Sequence, residues 1–204
     1  MTDCDWLLFL YQLPAKPSTQ RVFVWRRLKA CGALYLQHSA CLVPNREDLR
    51  QALAELTGGI ESRRGEAVVL AIRLTDAKER GEIISRFQAQ SDEDYREFLG
   101  KCRDFHQELD HERRAKHFSF AELEENEVEM TKLRGWLPKI VDRDFFGASL
   151  AGGARQALQA CEQDFGKFSQ QVAHAQGQDT KPTRRRSGSK LPRGGRRRPT
   201  AESD

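Results

Sequence analysis

The chain has 204 residues, 31% of them charged, with 34 Lys/Arg against 30 Asp/Glu and a formal net charge of +4. No stretch approaches the roughly 20 consecutive apolar residues that cross a bilayer as a helix. The five cysteines (Cys4, Cys31, Cys41, Cys102 and Cys161) are odd in number, widely spaced and without a CxxC pair, which argues against a disulfide framework and for a reducing, cytoplasmic setting.

Residues 5–14, "DWLLFLYQLP", begin four residues after the first Met. They lack a basic n-region, and their apolar run from Trp6 to Tyr11 is short for a signal peptide. Such a run, ended by Pro14 and Pro17, predicts a strand buried on both faces. A helix follows over residues 18–31, with Val24, Trp25, Leu28 and Cys31 on one face, Ser18 or Thr19 as N-cap and Gly32 as the stop. Residues 33–45 predict two strands, or one bent strand, ending at Pro44-Asn45. Residues 46–56 predict a second helix, with Leu49, Ala52, Leu53 and Leu56 on its apolar face, Asn45 as cap and Thr57-Gly58-Gly59 as terminator. Residues 66–74, "EAVVLAIRL", predict the last strand. The order β-α-β-β-α-β is the ferredoxin-like or split βαβ arrangement, with a right-handed parallel pairing expected across the first crossover and the opening strand central.

Beyond Thr75 no alternating pattern recurs, and Pro138 is the only proline in residues 77–175. A short helix over 77–87 leads into a longer one over 92–116, striped by Tyr95, Phe98, Leu99, Cys102, Phe105, His106 and Leu109. Ser119 to Glu122 is an S-x-x-E capping box opening a helix with Phe120, Leu123, Met130, Leu133, Leu137 and Ile140 on one face. "DRDFFGA", residues 142–148, reads as an aromatic-anchored turn. A last helix carries Leu150, Ala154, Ala157, Leu158, Cys161, Phe165, Phe168 and Val172. These stripes predict a helical hairpin or small bundle. From Gln176 onward Gly, Pro, Ser, Thr and Arg dominate, the composition of a disordered tail. The fold class is therefore α+β: a ferredoxin-like domain over 1–76, a helical bundle over 77–175 and an Arg-rich tail over 176–204.

Charge divides along the same lines. Residues 1–76 carry 10 Lys/Arg and 8 Asp/Glu, residues 77–175 carry 15 and 19, and residues 176–204 carry 9 and 3. A basic excess so concentrated suits contact with an anion such as nucleic acid. The expected nucleic-acid-binding residues are Arg21, Arg26, Arg27 and Lys29 on the first helix, and Arg184, Arg185, Arg186, Arg196, Arg197 and Arg198 in the tail. Each phosphate they neutralise adds salt dependence, and flexible basic arms track the backbone without reading bases.

Segments "WLLFLYQLPAKPSTQRVFVWRRLKACGALYLQHSACLVPN", "FSFAELEENE", "LRGWLPKI" and "RDFFGA" together resemble the N-terminal domain of ChrB-type chromate-resistance proteins, over roughly residues 5–173. The resemblance implies a chromate-responsive transcriptional regulator acting beside an efflux pump. Longer members carry a further domain linked to chromate sensing, which implies a separate chromate-sensing partner for a chain of this form. The first half is also similar in fold to CRISPR-associated spacer-acquisition nucleases and to the matching domain of phenylacetate-pathway repressors. In the nuclease branch an acidic residue after the first strand's aromatic binds a divalent metal. Here that position is Gln12, a neutral amide poorly suited to a hard cation.

No paired-carboxylate site, phosphate-cradling glycine loop or cofactor fingerprint supports an enzyme; "GGIESRRG" lacks the strand–helix setting of a dinucleotide loop. The histidines (His38, His106, His111, His117 and His174) form no H-x-x-x-H or HExxH pair, so neither metal nor cofactor is expected, and His38 is read as structural, able to bond across the sheet near Gln12. Cys31, Cys102 and Cys161 fall on apolar helix faces and read as small hydrophobes, although an exposed thiolate could sense an oxidant. Trp25, Tyr35 and Trp136 read as packing residues, and the five glutamates of residues 122–129 as a solvated helix face near a positive dipole end. The sequence thus points to a non-catalytic DNA-binding regulator, with homodimerisation as a use of the ferredoxin-like domain. A scaffold for a separate sensor and a divergent metal-dependent nuclease are the alternatives.

Overall fold

A computed structural model describes residues 5–16 and 18–179. Elements run β1 (Asp5–Gln12), α1 (Thr19–Ala30), β2 (Leu34–Gln37), β3 (Ala40–Pro44), α2 (Glu47–Glu61), β4 (Glu66–Arg73), α3 (Ala77–Ala115), α4 (Phe120–Val141) and α5 (Ala151–Asp179). The strands form one sheet in the order β2-β3-β1-β4. Every neighbouring pair is antiparallel, and β1 lies inside the sheet with Leu8 opposite both Leu42 and Leu70. The parallel pairing expected across the first crossover is not made: β3 turns back from β2 and inserts between it and β1, taking the hydrogen bonds the two parallel strands would have shared.

Alternation along β1 splits its side chains between two cores. Leu7 and Phe9 face α1 and α2, where Val24, Leu28, Leu53 and Ile60 are buried with them. Trp6 points the other way and is fully buried with Leu34, Leu42 and Phe87. Its ring lies 5.6 Å from Phe87 of α3 and 5.5 Å from Phe146 of the α4–α5 turn. The expected aromatic anchor at residues 142–148 therefore fastens the bundle to the sheet. The third core lies among α3, α4 and α5, around Tyr95, Phe98, Leu109, Met130 and Phe168.

The two helices expected over 77–87 and 92–116 are one helix of 39 residues. Asp76 starts it, its carboxylate accepting from the backbone N–H of Lys78 (2.7 Å) and Glu79 (3.0 Å). The polar stretch between the two stripes is held by distant carbonyls: Gln88 donates to Phe146 O at 3.1 Å and Gln90 to Ala33 O at 3.5 Å. Lys116, left-handed with φ of 58°, ends it.

α2 likewise runs through Gly58-Gly59 to Glu61, because burying Ile60 outweighs the roughly 1 kcal/mol helix penalty of each glycine. Neither Ser18 nor Asn45 caps as expected: Ser18 makes no side-chain cap bond, and Asn45 Oδ1 accepts instead from Arg50 Nε at 2.6 Å. Ser119 does cap α4, accepting from the Glu122 N–H at 3.2 Å. Phe120, expected in that helix's apolar stripe, is 63% exposed, and Phe118 instead packs on Phe168 of α5 at 6.1 Å. α5 continues to Asp179, past the expected tail boundary, and Gln176 within it donates to Phe118 O at 2.8 Å. Among the described residues no helix is long and apolar enough to cross a membrane.

Candidate nucleic-acid interface

α1 packs on the sheet through Val24 and Leu28, which are buried, and Phe23, which is half-buried. Arg21, Arg26, Arg27 and Lys29 all fall on its exposed side. Trp25 does not share the buried face: it is 50% exposed and Val22 is 44% exposed. The buried arc of a helix is set by the surface beneath it, and here that arc turns toward Phe23, leaving Trp25 among the cations. Lys29 Nζ lies 5.7 Å from the Trp25 ring, and Arg27 Cζ lies 5.8 Å from Phe23. Arg63, from the end of α2, stacks on the same Phe23 ring at 4.1 Å and joins the basic surface, a contributor sequence periodicity did not identify.

A signal for this surface stands in the letters themselves. Residues 6–46 contain six Lys/Arg and no Asp or Glu. After Asp3 and Asp5 the next acids of the sheet domain are Glu47 and Asp48, and Asp48 accepts from Arg46 at 2.9 and 3.0 Å. Among the described residues, Arg21, Arg26, Arg27 and Lys29 have no carboxylate within ion-pairing distance. The first turn of α1 holds no acid either, so its N-terminal N–H groups add to the positive potential.

Two concave surfaces flank the helix. One, of about 440 Å³, is lined by Ser18, Thr19, Val22, Phe23, Arg26 and Arg27. The other, of about 640 Å³, lies between Trp25 and the edge strand β2, with Tyr35 and His38 on its wall. Exposed aromatics beside unpaired cations suit a nucleic-acid backbone with room for a base to stack. The tail arginines (Arg184, Arg185, Arg186, Arg196, Arg197 and Arg198) lie outside the described residues.

A third concavity, of about 660 Å³, sits at the end of β1, with Gln12, His38 and Glu66 on its rim. Gln12 is the register partner of Glu66, so an amide and a carboxylate stand side by side at this end of the sheet. His38 enters through its backbone, its carbonyl accepting from the Tyr11 hydroxyl at 3.2 Å. Burial pushes the Tyr11 and Tyr35 phenols up and holds the neighbouring Cys41 thiol at about 12. The neutral, protonated forms are thereby favoured, with the Tyr11 hydroxyl donating to His38 O and Tyr35 donating toward Cys41. Among the described residues, no group of three or more His, Cys, Asp or Glu side chains has an arrangement that could hold a metal ion.

The family model described as "Protein ChrB, N-terminal" matches residues 21–179. A curated relative, "Protein ChrB" of Cupriavidus metallidurans, is 33% identical over 90 residues, spanning 44% of this chain and 28% of that protein.

Proposed function

This chain belongs to the ChrB N-terminal family, whose association is with chromate resistance, and from that premise we propose that it is a regulator that binds DNA without transforming it. The observation that carries the proposal is the acid-free segment 6–46, which displays Arg21, Arg26, Arg27 and Lys29 on one exposed surface with Trp25 among them. Cations left without carboxylate partners are available to phosphates, and each contact releases counterions. The tail arginines extend the same electrostatic attraction. In this reading the sheet domain docks on the duplex, pairing with a second copy in a homodimer, and a separate chromate-sensing protein supplies the signal. The amide of Gln12, where a metal-dependent nuclease needs a carboxylate, supports a non-catalytic use of the fold.

The test is titration of upstream duplex DNA with the full chain and with a chain ending at Asp179, across salt and with chromate added. The full chain should bind with a steep salt dependence, and the shortened one with a shallower slope and unchanged melting temperature. Binding indifferent to salt, or magnesium-dependent cleavage of the DNA, would sink the proposal. Release by chromate assigns sensing to this chain; indifference to chromate assigns it to a partner.

A further inference from the structure

Inside the helical bundle, α3 and α5 bring four side chains together. Cys102 and His106 lie one turn apart on α3, and Cys161 and Asp164 lie one turn apart on α5. Cys161 Sγ is 3.5 Å from His106 Nε2 and 3.7 Å from the Cys102 carbonyl oxygen. His106 Nδ1 is 2.9 Å from Asp164 Oδ2. The carboxylate is itself fixed by Arg113, whose Nη2 donates to Asp164 Oδ1 at 2.7 Å and to its carbonyl at 3.1 Å. Both cysteines are buried, while the imidazole against Cys161 is about one-third exposed and reaches solvent.

This order of groups has a definite chemistry. Asp164 accepts the Nδ1 proton and fixes the tautomer, which leaves the Nε2 lone pair aimed at Cys161. The two thiols also share a hydrogen bond. Cys102 is held below the usual thiol range by the S–H that Cys161 donates to it. Cys161 is pushed up by the same bond and by burial. The pair therefore favours negative charge on Cys102 over Cys161, and the His106 imidazole lies against Cys161 where it can accept a proton. Cys41 contrasts with Cys102, being buried against Tyr35 with its pKa raised to about 12.

We propose that Cys102 and Cys161, with His106 as their base, are a redox-active dithiol that a hydroperoxide oxidises to a disulfide joining α3 to α5. His106 Nε2 takes a proton from the pair, and the resulting thiolate attacks one peroxide oxygen. The O–O bond breaks, a sulfenic acid forms, and the other oxygen leaves as water (or as an alcohol) with the proton His106 returns. The second sulfur then attacks the sulfenic sulfur; the S–S bond forms, the S–O bond breaks, and the hydroxyl leaves as water with the second thiol's proton. Two thiols lose two electrons and two protons, and one hydroperoxide is reduced.

The experiment exposes the full chain to hydrogen peroxide, quenches it with an alkylating agent, and reads intact mass and linked peptides. The loss of two hydrogens, with the Cys102 and Cys161 peptides joined, is expected. Cys31→Ala should behave as the parent. His106→Gln, at a partly exposed side chain, should retain its melting temperature and form the link about tenfold more slowly or worse. Cys161→Ala should form no link. The proposal is overturned if Cys31 oxidises while both bundle thiols stay alkylatable. It is also overturned if folded His106→Gln forms the link at the parent rate.

Discussion

Neutralising Arg26 and Lys29 together isolates the α1 surface from everything else in the chain. Both are exposed, and neither has a carboxylate partner among the described residues, so removing their charge should change stability by less than about 0.5 kcal/mol. If each contacts one phosphate, the slope of log affinity against log salt should shrink by about 0.9 per residue, or about 1.8 for the pair. Between about 50 and 200 mM salt, a fourfold change, the parent's advantage over Arg26→Gln/Lys29→Gln should then contract roughly twelvefold. Fluorescence anisotropy with labelled duplex DNA at four or more salt concentrations measures both slopes. Arg134→Gln serves as the comparison, since Arg134 lies on the bundle and donates to Glu162 Oε1 at 2.8 Å; it should leave the slope unaltered. Parallel slopes for the parent and the double variant would refute the assignment of α1 to the backbone contact, whatever the affinity at one salt.

Other perturbations test the fold and the electrostatics beneath it. Phe87→Ala, which removes a 3% exposed ring stacked on Trp6, should cost about 3–5 kcal/mol in urea unfolding. Gly65→Ala would put a Cβ 2.7 Å from both Gln12 O and Ile60 Cγ2 and should lower the unfolding midpoint by an amount corresponding to about 1–3 kcal/mol. Gly58→Ala, inside α2 with nothing within 4 Å, should instead stabilise by about 0.5–1 kcal/mol; a loss there would contradict a helix running through Gly58-Gly59. Burial pushes the Asp164 carboxyl up, but hydrogen bonds from Arg113 and His106 outweigh it and hold the group below its usual range. A carboxyl depressed on folding stabilises the protein above its unfolded pKa of about 3.9 and loses that contribution as pH falls through the lower folded value. Thermal melts of Asp164→Asn should therefore fall less steeply than the parent's below about pH 4.

The strand-helix order was legible because each segment of the first half has one dominant period. Trp6–Tyr11 is continuous and apolar, "EAVVLAIRL" is β-rich, and Gly32 and Pro44 punctuate where the chain turns. The bundle was legible for the same reason, its stripes recurring at helical spacing. What escaped depends on contacts between distant segments. Nothing local shows that residues 88–91 continue a helix; Gln88 and Gln90 do so by reaching Phe146 and Ala33. The fate of Trp25 depended on which way α1 rolls on the sheet, which its own apolar spacing leaves ambiguous between Phe23 and Trp25. The approach of Cys161 to His106 spans 55 residues and rests on the relative placement of α3 and α5. The charge asymmetry of residues 6–46 needed no structure, only a count of acids, and was obscured by averaging over the whole first domain.

The unbroken α3 has a mechanical consequence. At 1.5 Å per residue its 39 residues make a rod about 58 Å long, clamped near one end by Trp6, Phe87 and Phe146 and gripped along the remainder by α4 and α5. About 42 Å of it lies beyond Phe87, so tilting the rod by ten degrees at that aromatic clamp would sweep its far tip through about 7 Å. Force applied to the distal end of the bundle is delivered to the sheet as leverage on that cluster of rings and on the Gln90 and Arg86 bonds to Ala33 O and Tyr35 O beside it.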